Sequence, residues 1–257
     1  LVGIGVPGSS GSRWIVDPIE FFRKAIERGK PIFRPDLSTE TGRRMLLVHI
    51  DGDGFASRAE IPGSPLAAEV MYRDFIKRYE VPHTVSIIEG ETSQQGAYPA
   101  LSSPLEKIAR SIFKLDHVEI ASHSYSHPYF WRLAVRNEQQ GLKPAKKPHL
   151  PIKGYHFRLK RDVDGSVEYI DRRLAPPGKK TAVFLWTGDC VPPWEAIAAT
   201  QEAGLLNMNG GDTTINRQES TLTLVAPFSI RKNGYLQVFA PNQNENVYTN
   251  DWTGPFY

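Results

Sequence analysis

The sequence has little cysteine, little net charge and no long apolar run, and each shortage excludes a class of protein. Cys190 is the one cysteine among 257 residues, so the chain can form neither an internal disulfide nor a metal cluster of several thiolates. Its 31 basic and 28 acidic residues leave a formal charge of only +3, too small to indicate a nucleic-acid binder. The apolar runs are all far shorter than the roughly 20 residues that a membrane-spanning helix needs.

What the sequence does have is enough apolar material for a core and a repeated alternation of strands and helices. Hydrophobic residues make up 40% of the chain and aromatic residues 11%, so a folded domain is expected rather than disorder. Short apolar runs predict buried strands in RRMLLVHID, HTVSIIEG, HVEIASHSYSHP, TAVFLWTGDC and LLNMNGGD, with helices between them and a hairpin across Asn233-Gly234. This order favours an α/β fold with parallel strands, as a barrel or an open sheet, whose site forms at the carboxyl ends of the strands.

The expected domain organisation is one large domain preceded by an arm. We expect residues 1–43 to be an N-terminal arm or linker with one helix, and residues 44–257 to form the catalytic domain. The chain begins with Leu1 and not with an initiator Met or a signal peptide, so we expect other domains of a longer protein as partners and a domain that is incomplete at its C-terminal end. The stretch 129–163 is long and basic, and we interpret it as a lid over the site or as a solvated insertion.

Polar side chains suited to metal binding follow two of the predicted strands. Asp51 and Asp53 come directly after the first strand, and His123 and His127 come after the third. Two histidines four residues apart lie on one side of a helical turn, where both can bind the same metal ion. One carboxylate with two imidazoles leaves coordination positions open and suits a divalent metal, Zn²⁺ in the first place. The competing interpretations are turn acids, surface histidines and an Fe(II) oxygenase site, and the α/β order argues against the last.

The stretch HIDGDGFASRAE also fits the spacing of a calcium-binding EF-hand loop. With His49 at loop position 1, Asp51, Asp53, Gly54 and Glu60 fall at positions 3, 5, 6 and 12. An EF-hand loop lies between two helices, however, and the residues before His49 predict a strand. Histidine is also a poor ligand for Ca²⁺, which prefers oxygen, so we interpret this match as a coincidence of spacing.

The two polar motifs resemble the first two signatures of the NodB-homology polysaccharide deacetylases, TFDDG and H-[ST]-x-x-H. Residues 123–127, HSYSH, match the second signature in full. The segment HIDGDG departs from the first, because Gly52 separates the two acids. With LWTGDC and NMNGGDTTIN downstream, this spacing is most similar to the deacetylase domains of bacterial exopolysaccharide biosynthesis, and the resemblance covers residues 44–257.

The resemblance implies a distorted (β/α) barrel of the polysaccharide deacetylase type, within the α/β class. It implies a divalent metal, expected to be Zn²⁺, and the removal of acetyl groups from N-acetylhexosamine units of a polysaccharide. Carried over by motif, Asp51 would be the general base, and Asp53 would bind the metal together with His123 and His127.

The resemblance further implies that TAVFLWTGD ends in the substrate site, lined by Trp186 and Asp189. A structural role is an equally open interpretation for both, Trp186 as a core residue and Asp189 as a cap of the next helix. Asp212, after NMNGG, is a weaker candidate on the same edge. The expected partner is an acetylated hexosamine polysaccharide, with no nucleic acid and no membrane span. Deacetylases of this kind work in the periplasm, so an exported context is expected by resemblance alone.

One catalytic residue of the family has no evident counterpart in the sequence. In the family a histidine near the C-terminal end of the domain serves as general acid, whereas the last histidine here is His156. Three explanations stay open: the acid follows Tyr257 in a longer protein, His149 or His156 replaces it, or the site is impaired. The last explanation keeps an alternative function open, a catalytically silent deacetylase fold that binds polysaccharide or an assembly partner.

Overall fold

The computed structural model of the chain describes residues 4–5, 12–13, 17–26, 48–143, 147–211 and 229–239. These residues belong to two compact units. The smaller unit contains a short antiparallel strand pair, β1 (Ile4–Gly5) and β2 (Ser12–Arg13), and helix α1 (Pro18–Ile26). Helix α1 begins after Asp17, whose Oδ1 accepts a hydrogen bond from the backbone N–H of Glu20 at 3.2 Å, as an N-cap does.

The larger unit is built on a seven-stranded, mostly parallel sheet, which confirms the predicted α/β class. In chain order the strands are β3 (Val48–Ile50), β4 (His83–Ile87), β5 (Val118–Ser122), β6 (Thr181–Leu185), β7 (Leu206–Met208), β8 (Ser229–Lys232) and β9 (Tyr235–Val238). Their order in the sheet is β3-β4-β5-β6-β7-β9-β8. The first five are parallel neighbours, and β9 is parallel to β7.

Helices connect the parallel strands. They are α2 (Ala67–Val70) with a π-helical continuation (Met71–Ile76), α3 (Glu89–Thr92), a 3₁₀ turn (Pro99–Leu101) leading into α4 (Ser102–Phe113), α5 (Trp131–Gln140), a π-helical turn (Arg161–Gly165) leading into α6 (Ser166–Arg173), and α7 (Trp194–Glu202). Crossovers between parallel strands are right-handed. Because the order of the strands from β3 to β7 follows the chain without reversing, the segments that connect them lie on one face of the sheet. Within the described part of the chain, no helix combines the length and the apolar character needed to cross a membrane.

Two apolar clusters pack the helices against the sheet. The first contains Val85 and Ile120 from neighbouring strands and Phe113 from α4, all of them buried. The second centres on Trp131 from α5 and Trp186 at the end of β6, whose rings meet edge to face with centroids 4.9 Å apart. These clusters fix the strand ends on which the polar residues lie.

The helix after β3 departs from the predicted periodicity. The stripe expected from a 3.6-residue period is buried at Leu66, Val70 and Ile76, but Phe75 is 37% and Tyr79 52% exposed, so the prediction is wrong for these two. The reason is the π-helical continuation of α2, whose longer hydrogen-bonded turn shifts the later residues around the axis.

The stretch 129–163 contributes to the core, which neither sequence interpretation of it anticipated. Helix α5 buries Trp131 and Ala134, and further along the chain Leu150 packs against Tyr125. The buried positions of α5 follow ordinary helical spacing, so the amphipathic signal was present in the sequence and was obscured by the many basic residues around it.

The predicted hairpin is confirmed between β8 and β9. Asn233 and Gly234 form its two-residue turn with φ angles of 49° and 87°. Positive φ at both central residues is the geometry that Asn-Gly favours and that matches the twist of the flanking strands.

Candidate metal centre

The carboxyl ends of the parallel strands bring the predicted site residues to one edge of the sheet. Asp51 and Asp53 follow β3, His123 comes directly after β5, and His127 lies in the loop that continues from it. Because these strands are parallel and close together in the sheet, their following residues meet although they are far apart in sequence.

Asp53, His123 and His127 form a cluster whose three ligand atoms all lie within 4.8 Å of one another. The Nε2 atom of His127 lies 2.8 Å from Oδ1 of Asp53, and Nε2 of His123 lies 3.7 Å from the same oxygen. One carboxylate and two imidazoles are ligands that suit a borderline divalent ion such as Zn²⁺. The structure thus brings the predicted ligands together as one candidate metal centre.

The facing atoms of this cluster fit a cation because they have no other partner. Among the described residues, Oδ1 of Asp53, Nε2 of His123 and both ring nitrogens of His127 are buried and make no hydrogen bond to any group outside the cluster. Each unpaired buried polar atom costs about 1–3 kcal/mol, which a cation bound between them would offset. Asp53 keeps 31% of its side chain exposed, so the centre is open to solvent on the carboxylate side.

The electrostatics of the cluster favour an ionised Asp53 beside a neutral His123. Burial opposes ionisation of Asp53, but the two histidines outweigh it and lower the pKa of the carboxyl. Burial lowers the pKa of His123 to about 4, so its imidazole is neutral near pH 7, as a metal ligand must be. Burial also opposes protonation of His127, yet contact with Asp53 raises its pKa. At pH values below this raised pKa, metal binding to His127 has to displace a proton, so the affinity increases with pH.

The His123 ring is oriented from the neighbouring strand. Its Nδ1 lies 2.9 Å from the backbone oxygen of Leu185, at the end of β6. A carbonyl can only accept, so Nδ1 carries the proton and Nε2 presents its lone pair to the cluster. A second hydrogen bond of this kind is how proteins usually fix the tautomer of a ligating histidine.

The HSYSH loop is not a helical turn. The expectation that a helical turn brings His123 and His127 to the same side is therefore wrong. Ser124 and His127 both adopt left-handed backbone conformations, with φ angles of 66° and 52°. Non-glycine residues rarely adopt this conformation, and here side chains hold it. The Oγ of Ser124 accepts the backbone N–H of His127 at 2.9 Å, and the Oγ of Ser122 accepts that of Ser124 at 3.2 Å. Ser124, which occupies the [ST] position of the H-[ST]-x-x-H signature, thus has a structural role in this loop.

A buried aspartate clamps the same loop from the π-helical turn before α6. One oxygen of Asp162 accepts both the backbone N–H and the hydroxyl of Ser126, each at 2.8 Å. Its other oxygen accepts the hydroxyl of Tyr155 at 2.5 Å, and its backbone carbonyl accepts the N–H of Tyr125 at 3.2 Å. Asp162 is fully buried, so these bonds are shielded from water and fix the loop firmly.

Gly52 explains how the first motif tolerates a residue between its two acids. A Cβ atom at this position would lie 2.7 Å from Cγ1 of Ile88 and 3.0 Å from Cβ of His123. The inserted residue therefore has to be glycine, because the chain passes directly against the second motif. Asp51 faces the same turn, and its Oδ1 accepts the backbone N–H of Asp53 at 3.3 Å.

Two polar residues near the centre were missed by the sequence analysis. Glu91, on α3 after β4, is only 5% exposed, and Asn209, just after β7, is 1% exposed with a φ of 103°. The amide of Asn209 donates to the backbone oxygen of Trp186 at 3.1 Å. Neither residue belongs to a spaced motif, and the available signal was their position after predicted strands. Asp212, the weaker candidate of this segment, lies outside the described residues.

The two predicted substrate residues occupy different environments. Trp186 is fully buried, and its indole N–H donates to Oδ1 of Asn207 at 3.0 Å. Its placement agrees with the core interpretation and gives no support to substrate contact. Asp189 is half-buried, and its Oδ1 accepts the backbone N–H groups of Val191 at 3.1 Å and Trp131 at 3.4 Å. Asp189 therefore caps helix α5 and not α7, the helix that follows it in sequence. Contact between Asp189 and substrate stays a prediction.

The two histidines considered as replacement acids lie apart from the cluster. His149 is buried, with its Nδ1 2.7 Å from the backbone oxygen of Leu150 and its ring against Tyr155. His156 is exposed. Across residues 48–143 and 147–211, neither of them makes a hydrogen bond or ring contact with the three candidate ligands, so the structure gives no support for either as the acid.

The chain has a distant similarity to a solved enzyme structure. No protein-family model matches it, and no curated protein matches it. The crystal structure of 4-alpha-glucanotransferase from Thermococcus litoralis is similar with a TM-score of 0.45 and 14% sequence identity, over 79% of this chain and 28% of that chain. The chain thus spans less than a third of that enzyme.

The ligand assignment predicts which variants lose metal. We expect Asp53→Ala and His127→Ala to abolish binding of Zn²⁺, because each removes one of three ligands, whereas Asp51→Asn should retain it. Elemental analysis of purified protein measures this, with the exposed His156→Ala as a matched histidine control. Full metal content in the first two variants would contradict the assignment, and equal loss in Asp51→Asn would show that the two acids share the ligand role.

The clamp on the HSYSH loop predicts a coupled loss of stability and metal affinity. Asp162→Ala leaves the buried N–H and hydroxyl of Ser126 unpaired, at about 1–3 kcal/mol for each group. It should also weaken Zn²⁺ binding by roughly 10–100-fold, as loss of an outer-shell partner does. Asp164→Ala, in the same π-helical turn, is the control. Chemical denaturation and metal titration measure both effects, and similar behaviour of the two variants would refute the clamp.

Proposed function

We propose that this chain is a metal-dependent polysaccharide N-deacetylase, which removes acetyl groups from N-acetylhexosamine units of a bacterial exopolysaccharide. The observation that carries the proposal is the convergence of Asp53, His123 and His127 at the carboxyl edge of the sheet, with Asp51 beside them. A ligand triad next to a further carboxylate supplies the metal site and the base that attack of an activated water on an amide requires.

The proposal includes the fold of the NodB-homology deacetylases, a distorted (β/α) barrel. Its support is the order of β3 to β7, which follows the chain without reversal. Such an order places the connecting helices on one face and leaves the other face to close on itself, whereas an open doubly wound sheet reverses its order. Within the family, the spacing of the first motif is similar to the deacetylase domain of PelA, from exopolysaccharide biosynthesis, and a periplasmic location belongs to the same proposal.

Each residue of the centre has a role in this chemistry. A bound divalent cation would supply Lewis acidity toward the acetamide carbonyl and lower the pKa of a water molecule. Asp53, His123 and His127 would hold the cation. Asp51 would accept the proton of the attacking water, which its partly open position after β3 permits. The left-handed turn at His127 keeps the ligands in place while the solvent-exposed side of Asp53 admits substrate.

A second candidate function is a catalytically silent module that binds polysaccharide or an assembly partner. The observation that favours it is the position of His149 and His156, which make no contact with the candidate ligands in the described parts of the chain. If no other group donates a proton to the leaving amine, metal binding would occur without turnover.

Release of acetate from N-acetylhexosamine oligosaccharides tests the two candidates. We expect the Zn²⁺-loaded protein to release acetate, chelation to stop the release and re-addition of metal to restore it. Asp51→Asn should bind metal fully and lose roughly 10²–10⁴-fold in rate, the usual contribution of a general base. Acetate can be measured by a coupled enzymatic assay or by NMR. Full occupancy of the metal site without any acetate release would contradict the deacetylase and favour the silent module.

A further inference from the structure

Glu91 is held beside the candidate metal centre by the contact between α3 and the HSYSH loop. The backbone N–H of Glu89 donates to the oxygen of Ser124 at 3.1 Å, and that of Gly90 donates to the oxygen of Tyr125 at 2.7 Å. The approach is so close that a Cβ atom at Gly90 would lie 2.3 Å from the Tyr125 oxygen. The position of Glu91 relative to the two histidines is therefore set by backbone contacts.

The carboxyl of Glu91 is buried without a counterion. The residue is 5% exposed, and its Oε2 has no hydrogen-bond partner within the described ranges. The neighbouring Glu89 offers a contrast, because it is also buried but pairs with Arg161 through both of its oxygens. Ionised carboxylates in such surroundings need a cationic partner, and Glu91 shows none in the described part of the chain.

The groups around Glu91 favour its neutral form. Burial raises its pKa to about 7, the negative charge of Asp53 adds to this increase, and His127 partly opposes it. Burial raises the pKa of Tyr98 and of Tyr129, and the negative charge of an ionised Glu91 adds to the increase in each. A carboxyl that is protonated near neutral pH can act as an acid.

We propose that Glu91 is the proton donor to the leaving amine, an inference that rests on the deacetylation proposed above. The water oxygen bonds to the acetyl carbon and its proton passes to Asp51. The C–N bond then breaks as the amine nitrogen takes the proton of the Glu91 carboxyl, which releases the free amine and acetic acid. The proton on Asp51 returns to Glu91 through solvent, so the cycle consumes one amide and one water and leaves both carboxyls as they began.

Other groups of the centre are poorly suited to this step. The histidines keep Asp53 ionised, so it has no proton to give. Tyr98 and Tyr129 have pKa values raised by burial, which makes them weaker acids than an ordinary tyrosine. Glu91 also lies outside the three-residue ligand cluster, so replacing it should leave the ligand set intact.

The test compares two substrates that differ in their need for a proton donor. An amine leaves an acetamide only when it is protonated, whereas the phenolate of 4-nitrophenyl acetate leaves without a proton. Glu91→Gln removes the acidic proton and keeps the size and neutrality of the side chain, and the exposed Glu80→Gln serves as the control. Rates on the oligosaccharide and on the ester are measured with Zn²⁺-loaded protein, together with metal content.

We expect Glu91→Gln to lose roughly 10²–10⁴-fold on the oligosaccharide while its ester hydrolysis and metal content match the wild-type protein. Infrared titration of the loaded protein should also show one protonated carboxyl near neutral pH that is absent from Glu91→Gln. A wild-type rate on the oligosaccharide, an equal loss on both substrates, or an absent carboxyl band would each overturn the assignment of Glu91. Lack of acetate release by the wild-type protein would instead refute the deacetylase itself, and the acid role with it.

Discussion

Three buried ligand atoms that face one another are the constraint on which the rest of the site depends. Asp53, His123 and His127 lose hydration in order to converge, and within the described residues their facing atoms gain no hydrogen bonds to groups outside the cluster. Such an arrangement persists only when neighbouring elements hold it in place. The carbonyl of Leu185 fixes one imidazole, and the carboxylate of Asp162 fixes the loop that carries the other. The core packing that positions these two groups is therefore also what maintains the candidate metal centre.

Different strands of the sheet position different residues of the candidate site. β3 supplies the acids, β4 leads to Glu91 on α3, and β5 supplies the histidines. β6 contributes no ligand but orients His123 through its last carbonyl. Because the strand order never reverses, residues that are close in the site come from strands that are neighbours in both sequence and space.

The sequence was sufficient for the strand alternation and for the positions of the candidate ligands, because both depend on local patterns. An apolar run followed by Asp51 and Asp53, or by His123, already places these side chains at a strand end. The left-handed turn at His127 could not be predicted, since its loop is held by a local bond to Ser124 and by bonds to Asp162, which is distant in sequence. Glu91 was missed for a related reason, because its burial is produced by tertiary packing and leaves no spacing pattern. The exposure of Phe75 and Tyr79 likewise follows from a π-helical turn that apolar periodicity does not reveal.

The number of carboxyl groups near the centre limits which of them can be ionised together. The histidines hold Asp53 ionised, and Asp51 lies in contact with its backbone N–H. The negative charge of Asp53 contributes to the raised pKa of Glu91, and a cation bound at Asp53 would offset that charge. With a cation bound, the burial of Glu91 would remain, and burial is the largest cause of the raised pKa of this carboxyl. A neutral Glu91 is therefore compatible with a bound cation, and the proposed acid and the proposed base can coexist at one pH because their surroundings differ.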